Sequence, residues 1–511
     1  MAWQSYRLTG AAPDLPPDAL PAEVWTQVYN VHFRDGVAER YIGNFDAAVT
    51  GTAKTRYEFM ASLRASSSQE SLIYAGNDIA GPRARIAQYL PGTGHADVTP
   101  GGWAATAATS LNAWTGGPLA LGLLVNDITH QPVWLSPAAA ATVLTGGAYR
   151  FGALRPYKYM AVGISDVLTP ALQTVRWSAS TTAGTAPNTW TPAATNDAGS
   201  FDLTDQSDGY PVDGGQLGED FILYADNSMH LMTYVGGSQV MIRRRLSAQT
   251  GVLSRNCYAD VGFGHVVLTP EDVVLVTARG VEKSLVNGRN RRRIFSGLFN
   301  SSDQRHLNSQ VWFDKRMGRV WVVTHQALSA TWLSRAYVWE IATDTWGEVE
   351  FYSGGTENFA CATFGAFEAA TGAQPKLVIG GKGAGVTLGQ AQVLVAETNT
   401  AASTSGNTSE LLKSDLDLGD ASRVKRVKGI RLRASSATSG VTVQVSVAGK
   451  YAADETYTYP TNQTWTLNST QYLPIDTSGR WFSVRIQSAA AGTKAWRCWG
   501  FDLDVVENGA W

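Results

Sequence analysis

Hydrophobic and polar residues alternate in short segments along most of the chain, and turn residues separate these segments. From about residue 150 the alternation becomes regular. The segments DFILYADNSMHLMTYVG, GHVVLTPEDVVLVTARGVEKSL and QVWFDKRMGRVWVVTHQ each predict a strand, a turn and a second strand. Such hairpins recur roughly every 35 to 55 residues, which is the spacing of β-propeller blades, because a four-stranded blade buries both faces only when neighbouring blades stack on it.

Two further hairpins can be placed by their turn residues. VWTQVYNVHFRDGVAERYIG alternates around Asp35-Gly36, a pair that favours a tight hairpin turn. YVWEIATDTWGEVE predicts a strand, a turn at Thr343-Asp344 and a second strand from Trp346. We expect Asp344 to close this turn and the aromatic residues to pack between neighbouring blades.

The same patterns divide the chain into four parts. Residues 1–22 contain four prolines and predict an extended N-terminal arm. Residues 23–394 form the predicted β-propeller domain, and residues 395–413, rich in Thr, Ser, Ala and Asn, form a linker. In residues 414–511, VKGIRLRASS, VTVQVSVAGK and WFSVRIQSA alternate strictly and predict a small C-terminal β-sandwich-like domain. The predicted fold class is therefore all-β.

Composition supports this class and limits the kinds of partner. Only 16% of residues are charged, whereas about 25% are charged in an average soluble protein. The 51 glycines and 17 tryptophans favour short strands joined by tight turns over helices. The net charge is −2, although proteins that coat nucleic acids are usually basic. A DNA conduit remains compatible with this charge, because a strongly basic wall would retain DNA instead of letting it slide.

No targeting or membrane segment is expected from the sequence. The N-terminus lacks a cationic region followed by an apolar one, and no run of about 18 apolar residues occurs. Cys257, Cys361 and Cys498 lie far apart, so we expect buried reduced thiols and folding in a reducing cytoplasm.

A search for catalytic motifs predicts that the protein is not an enzyme. The sequence contains neither a Gly-x-Ser-x-Gly elbow nor a His-Glu-x-x-His zinc pair, and its seven histidines are scattered. The GGKGAG segment at 380–385 lacks the Lys-Ser/Thr ending of a phosphate-binding loop. We therefore expect no catalytic residue, no cofactor and no metal.

Two runs of arginines are the candidate functional residues. They are Arg243 and Arg245, which share one face of a predicted strand, and Arg289, Arg291, Arg292 and Arg293 in NGRNRRRIF. They could contact phosphates in a DNA channel or form a cationic subunit interface. Alternatively, they could be solvated residues that form ion pairs.

A succession of segments connects the chain to a known family. The order runs from NVHFRDGVAE (30–39) through LIYAG (72–76) and RPYKYMAVGI (155–164) to LGEDFILYADNSMHLMTYVGGSQVMIRRRLSAQTGVLSRNC and VLTPEDVVLVTARGVEKSLVNGRNRRRIF. DTSGRWFSVRIQS and WGFDLDVVENGAW follow near the C-terminus. This succession resembles the tail nozzle (tail tubular or DNA-stabilisation) proteins of short-tailed, podovirus-type bacteriophages. The resemblance covers about residues 30–511 and is weak around 395–415.

The resemblance implies a structural virion protein of the phage tail, assembled in the cytoplasm of the host bacterium. It implies a homo-hexameric ring that extends the DNA exit channel below the portal and adaptor rings and supports tail fibres or spikes. Double-stranded DNA would pass through the ring without sequence-specific contacts. The alternative is a propeller-type glycan-binding or glycan-degrading tail protein, since exposed tryptophans can stack on sugars.

Overall fold

A computed structural model gives the fold of most of the chain. The described residues are 2–41, 49, 53–64, 69–78, 83–103, 106–108, 112–144, 148–205, 208–237, 239–299, 304–325, 333–350, 358–367, 374–382, 392–395, 408–488 and 495–510.

Four short strands precede the first blade in the described part of the chain. They are β1 (Ala2–Arg7), β2 (Gln27–Tyr29), β3 (Val31–Arg34) and β4 (Val37–Arg40), with a 3₁₀ turn at Pro17–Ala19. Asp35 and Gly36 join β3 to β4 with φ angles of 51° and 75°. The hairpin predicted at this pair is confirmed, because a two-residue turn of this kind requires positive φ at both positions.

Seven antiparallel blades of a β-propeller then follow one another over the described residues. Six of them are separate sheets, and blade 6 is part of a larger ten-stranded sheet. Blade 1 consists of β5 (Phe59–Arg64), β6 (Glu70–Asn77), β7 (Ala84–Leu90) and β8 (Gly94–Asp97), and blade 2 of β9 (Thr115–Leu119), β10 (Gly122–Asn126), β11 (Val133–Leu135) and β12 (Ala141–Val143). Blade 3 consists of β13 (Phe151–Tyr157), β14 (Met160–Asp166), β15 (Ala171–Trp177) and β16 (Gly199–Asp202), and blade 4 of β17 (Pro211–Leu217), β18 (Asp220–Ala225), β19 (Met229–Tyr234) and β20 (Met241–Ser247). Blade 5 consists of β21 (Tyr258–Asp260), β22 (His265–Leu268), β23 (Val273–Thr277) and β24 (Gly280–Ser284), blade 6 of β25 (Gln310–Asp314), β26 (Arg319–Thr324), β27 (Arg335–Glu340) and β28 (Thr345–Glu350), and blade 7 of β29 (Asn358–Gly365), β30 (Lys376–Lys382) and β31 (Gln392–Val395). The helix α1 (Arg291–Phe295) and a 3₁₀ turn at Arg305–Asn308 lie between blades 5 and 6. The predicted propeller is confirmed.

Apolar side chains between adjacent blades hold the ring together. Blades 7 and 1 close it, because Tyr57, Met60 and Tyr74 pack against Cys361 and Val378. The Cys361 thiol lies 3.3 Å from the Tyr57 carbonyl oxygen across this junction. Stacking of this kind buries the second face of each sheet, which an isolated blade would expose.

The hairpin of blade 6 has the predicted turn. β27 ends at Glu340 and β28 begins at Thr345. The Trp339 indole N–H donates a 2.8 Å hydrogen bond to Asp344 Oδ1, and Asp344 has a φ angle of 54°. The expectation that Asp344 closes the turn is confirmed, since Asp tolerates the left-handed region and can accept this bond.

The C-terminal residues form a β-sandwich. Its later strands are β32 (Glu410–Leu416), β33 (Arg423–Ser435), β34 (Thr442–Lys450), β35 (Gln463–Thr466), β36 (Leu473–Gly479), β37 (Trp481–Ser488) and β38 (Arg497–Ala510). One sheet has the order β2-β32-β37-β34-β35, and the other contains β1, β38, β33 and β36. Side chains such as Val447, Phe482 and Phe501 fill the core between the sheets.

The N-terminal segment belongs to this sandwich and is not the separate arm predicted for residues 1–22. β1 pairs in antiparallel register with β38, from Ala2 opposite Val505 to Arg7 opposite Gly500. Leu8 and Trp25 are buried in the sandwich core. The physical reason is that β38 would otherwise leave a row of unpaired backbone groups at the edge of the sheet.

The propeller and the sandwich are also connected through one sheet. In the β3–β4 hairpin, Val31 pairs with Glu348 of β28, and Glu39 pairs with Arg497 of β38. Most of the predicted linker at 395–413, residues 396–407, lies outside the described residues. Its last residues, from Glu410, are already part of β32.

The predicted burial of the three cysteines is confirmed. Cys257, Cys361 and Cys498 are buried and free. Burial raises the pKa of the Cys257 and Cys498 thiols to about 12, so these thiols stay protonated near neutral pH. Among the described residues, no helix is long and apolar enough to cross a membrane.

Candidate functional site

The propeller axis contains a cavity of about 350 Å³. The first strand of a blade lies nearest the axis, so residues of blades 1, 2, 3, 5, 6 and 7 share the cavity wall. Polar and aromatic side chains in this wall include Glu58, Trp114, Arg155, Asn256, Tyr258 and Gln310. Ligand-binding and catalytic sites of proteins usually lie in concave pockets of this kind.

A buried ion pair joins blades 3 and 4 beside this cavity. Arg155 Nε and Nη2 each lie 2.7 Å from an oxygen of Asp213. Arg155 Nη1 also donates to the Gly116 carbonyl oxygen at 3.0 Å, and Nη2 to Asn256 Oδ1 at 2.7 Å. Burial is the largest single effect and disfavours the charged guanidinium, but the charges of Asp213 and Tyr258 and the hydrogen bonds to Asp213 together raise the pKa of Arg155. The Arg155 guanidinium therefore stays charged although it is buried.

Asparagine side chains extend this ion pair into a network around the axis. Asn256 Nδ2 donates to Asn112 Oδ1 at 2.7 Å and to the Trp114 carbonyl oxygen at 3.0 Å. Gln310 Nε2 donates to the Ala360 carbonyl oxygen at 2.7 Å. These bonds connect segments of blades 2 to 7, so the polar groups at the axis largely satisfy one another.

Glu58 is an acidic residue of the cavity wall whose environment alters its pKa. The Trp114 indole N–H donates to Glu58 Oε2 at 3.1 Å. Burial raises the pKa of Glu58, and the nearby charge of Asp127 adds to the increase, while hydrogen bonds from Trp114 and Asn77 oppose it. Neither Glu58 nor Arg155 was a sequence-based candidate. The available signal was a charged residue beside or within a blade's first strand, where neighbouring positions are apolar.

Arg243 and Arg245 lie away from the axis, on β20, the outermost strand of blade 4. Arg245 forms ion pairs with Asp205, at 3.0 Å, and with Asp208. The Arg243 guanidinium lies 5.2 Å from the centroid of the Phe201 ring. Neither arginine lines the axial cavity.

The second run of arginines also forms ion pairs within the chain. Arg289 pairs with Asp344 at 2.9 Å, and Arg293 pairs with Glu348 at 3.0 Å. Arg291 donates to the Glu271 carbonyl oxygen at 2.8 Å, and the side chain of Arg292 is exposed. The ion pairs of this run are with Asp344 and Glu348, whereas those of Arg245 are with Asp205 and Asp208. The pairing matches the solvated ion-pair alternative, and the DNA-channel and interface hypotheses stay predictions.

His230, buried next to the pair of arginines on β20, predicts a pH-dependent stability. Its Nε2 lies 2.9 Å from Ser228 Oγ and 3.4 Å from Asp208 Oδ1. Burial lowers the pKa of His230 to about 4; Asp208 opposes the decrease, and Arg243 and Arg245 add to it. An unfolded histidine has a pKa of about 6.5. Between these values the unfolded chain binds a proton that the folded chain does not, so stability falls as the pH falls.

The expected loss from His230 reaches about 3 kcal/mol between pH ~6.5 and pH ~4. Urea unfolding of the wild type and of His230→Gln at several pH values within this window measures it. The free energy of unfolding of the variant should depend less steeply on pH, and the difference in slope should correspond to the uptake of up to one proton. Equal slopes for the two proteins would show that His230 does not carry the effect.

Comparisons with known proteins identify no family for this chain. No protein-family model and no curated protein matches it. Among solved structures, it is similar to PorZ, a surface component of the type-IX secretion system of Porphyromonas gingivalis, with 8% identity and a TM-score of 0.36 over 86% of this chain and 46% of PorZ. The chain thus spans less than half of PorZ.

Two other solved structures match as loosely. YCF48 from Cyanidioschyzon merolae has 9% identity and a TM-score of 0.37 over 69% of this chain and 99% of YCF48. An exo-β-1,3-galactanase from Phanerochaete chrysosporium has 9% identity and a TM-score of 0.25 over 91% of this chain and 100% of the galactanase.

Within the described residues no cluster of three His, Cys, Asp or Glu side chains could hold a metal ion.

Proposed function

We propose that this protein is a structural subunit of a short bacteriophage tail, the nozzle. Six copies would form a ring below the portal and adaptor rings, extend the DNA exit channel and support tail fibres or spikes. The subunit would assemble in the host bacterial cytoplasm and remain in the virion. The proposal starts from the succession of segments that resembles tail nozzle proteins over about residues 30–511.

The observation that supports a structural role most directly is the network at the propeller axis. An axial arginine in an active site must keep donors available for a substrate. Arg155 instead directs four hydrogen bonds to Asp213, Gly116 and Asn256. The network cross-links the blades, as a component under mechanical load requires.

The connection between the two domains supports the same role. A single sheet runs from blade 6 through the β3–β4 hairpin into the sandwich. Domains joined by backbone hydrogen bonds of one sheet resist the relative motion that a flexible linker would permit. The subunit is therefore suited to transmit force between the adaptor side and the fibre side of a tail.

The proposed ring predicts the mass of the assembled protein. Mass photometry of the purified protein, alone and mixed with portal–adaptor complexes of a short-tailed phage, should show a species of about six chain masses. A protein that stays monomeric in both conditions would contradict the nozzle proposal.

Mass photometry together with a DNA-binding titration separates the two hypotheses for the second run of arginines. Arg292 is the best position, because its side chain is exposed and its loss leaves the Arg289–Asp344 and Arg293–Glu348 pairs intact. Arg292→Gln should abolish the ring if this surface is an interface. If the surface faces DNA, rings should form but bind double-stranded DNA more weakly and with a smaller salt dependence.

A further inference from the structure

The outward face of one sandwich sheet carries an aromatic and charged patch, formed by Trp3, Arg431, Tyr472 and Asp504. Along β38, Phe501, Leu503 and Val505 point into the core, so Asp504 points outward. In the ladder Asp504 lies opposite Trp3 of β1 on one side and opposite Gly429 of β33 on the other. The patch therefore exists only because the N-terminal strand joins the C-terminal sheet.

The two aromatic rings of the patch are held in defined positions. Trp3 and Tyr472 are 37% and 41% exposed, and their ring centroids are 6.1 Å apart in an edge-to-face arrangement. The Tyr472 ring covers Gly429, where a Cβ atom would lie 2.2 Å from a ring carbon. The Tyr472 hydroxyl donates to the Lys428 carbonyl oxygen at 3.1 Å. The rings thus form a fixed, partly exposed surface.

Asp504 contributes a buried carboxylate oxygen without a hydrogen-bond donor to the patch. The residue is only 7% exposed, and its Oδ1 atom accepts no hydrogen bond from the residues that the structure describes. A buried carboxylate oxygen without a donor is costly and calls for a partner. The exposed Arg431 guanidinium lies 4.0 Å from the Trp3 ring centroid and forms no ion pair with a described residue.

We propose that this patch binds a neutral hexopyranose unit of a glycan. The apolar C–H face of a sugar packs on aromatic rings such as those of Trp3 and Tyr472, whose faces carry negative charge density. A sugar hydroxyl can donate to the Asp504 carboxylate, and a sugar oxygen can accept from Arg431. Asp504 disfavours an anionic ligand, and Arg431 disfavours a cationic one. The patch does not depend on ring assembly, so this inference stands apart from the proposed function.

Isothermal titration of the intact protein with maltohexaose, galactohexaose and mannohexaose tests the site. At least one should bind, with a Kd of about 0.1 mM, as suits a small ligand on an open surface. Trp3→Ala and Asp504→Asn should each weaken that binding at least about tenfold, roughly the loss of one good contact. Asp504→Asn preserves shape, so it separates lost binding from lost folding.

Trp499→Ala is the matched control. Trp499 is 38% exposed on the same strand, β38, but lines a different groove with Arg7 and Glu23. Its replacement should leave the affinity unchanged. The inference is overturned if none of the three hexasaccharides binds, if binding survives both Trp3→Ala and Asp504→Asn, or if Trp499→Ala weakens it as much as Trp3→Ala does. These outcomes leave the mass of the ring, and hence the nozzle proposal, untouched.

Discussion

Arg155→Ala is expected to lower the free energy of unfolding by about 3 to 5 kcal/mol, because it leaves the Asp213 carboxylate buried without its counter-ion. Asp213 is fully buried, and its oxygens also accept hydrogen bonds from the backbone N–H groups of Gly214 and Asn256. Those two bonds cannot replace a bidentate guanidinium. Asn256 Oδ1 would also lose the hydrogen bond that it accepts from Arg155, which loosens the junction between blades 3 and 5. Urea denaturation followed by tryptophan fluorescence measures the change.

Two further variants make this measurement specific. Arg426 also holds a carboxylate with two 2.6 Å bonds, to Asp476, but both side chains are exposed. Arg426→Ala should therefore cause no measurable change, because water and salt screen an exposed pair. The double variant Arg155→Met/Asp213→Leu should recover much of the lost stability, because it removes both buried charges. If Arg155→Ala is as stable as Arg426→Ala, the axial network does not hold the blades together.

The blades could be predicted because their signal is local. Alternating residues and a turn signal such as Asp35-Gly36 lie within one short segment, and backbone sterics determine the result. The Trp339–Asp344 bond likewise joins residues of the same hairpin. Such features depend little on the remainder of the chain.

The axial site could not be predicted because its partners are distant in sequence. Arg155 and Asp213 are 58 positions apart, and Asn112 and Asn256 are 144 apart. The position of Glu58 beside a blade's first strand is a weak local signal, and its altered pKa arises mainly from burial, which the local sequence does not show. Tertiary packing creates this chemistry, and a motif search does not detect it.

The N-terminal strand escaped prediction for a related reason. AWQSYR is short and largely polar, and the prolines that follow it dominate the local pattern. Its stability comes from pairing with β38, almost the whole chain length away. The same pairing shifts the domain boundary, because residues predicted as arm and propeller contribute to the sandwich core. They are Leu8, Ala11, Trp25, Val28, Val31, Phe33 and Ala38.

Residues 408–511 produced alone are therefore expected not to fold. The fragment lacks β1 and β2, so β38 and β32 each lose a paired neighbour. It also lacks Trp25 and Phe33, which are at most 1% exposed in the intact chain. Removing one such aromatic side chain typically costs about 3 to 5 kcal/mol. The free-energy cost of removing all the N-terminal residues that pack in the sandwich core exceeds the total stability of an ordinary domain, which is about 5 to 15 kcal/mol.

A permuted fragment is the matched control, with residues 408–511 followed by a flexible linker of about ten residues and then residues 1–41. Because Ala2 pairs with Val505, the new connection spans a short distance at one edge of the sheet. This fragment should unfold cooperatively on heating, whereas 408–511 alone should show no transition in circular dichroism and should aggregate through the exposed edges of β38 and β32. A cooperative transition of 408–511 by itself would restore the C-terminal domain boundary expected from the sequence. It would also mean that the N-terminal strands only cover a sandwich that is already stable.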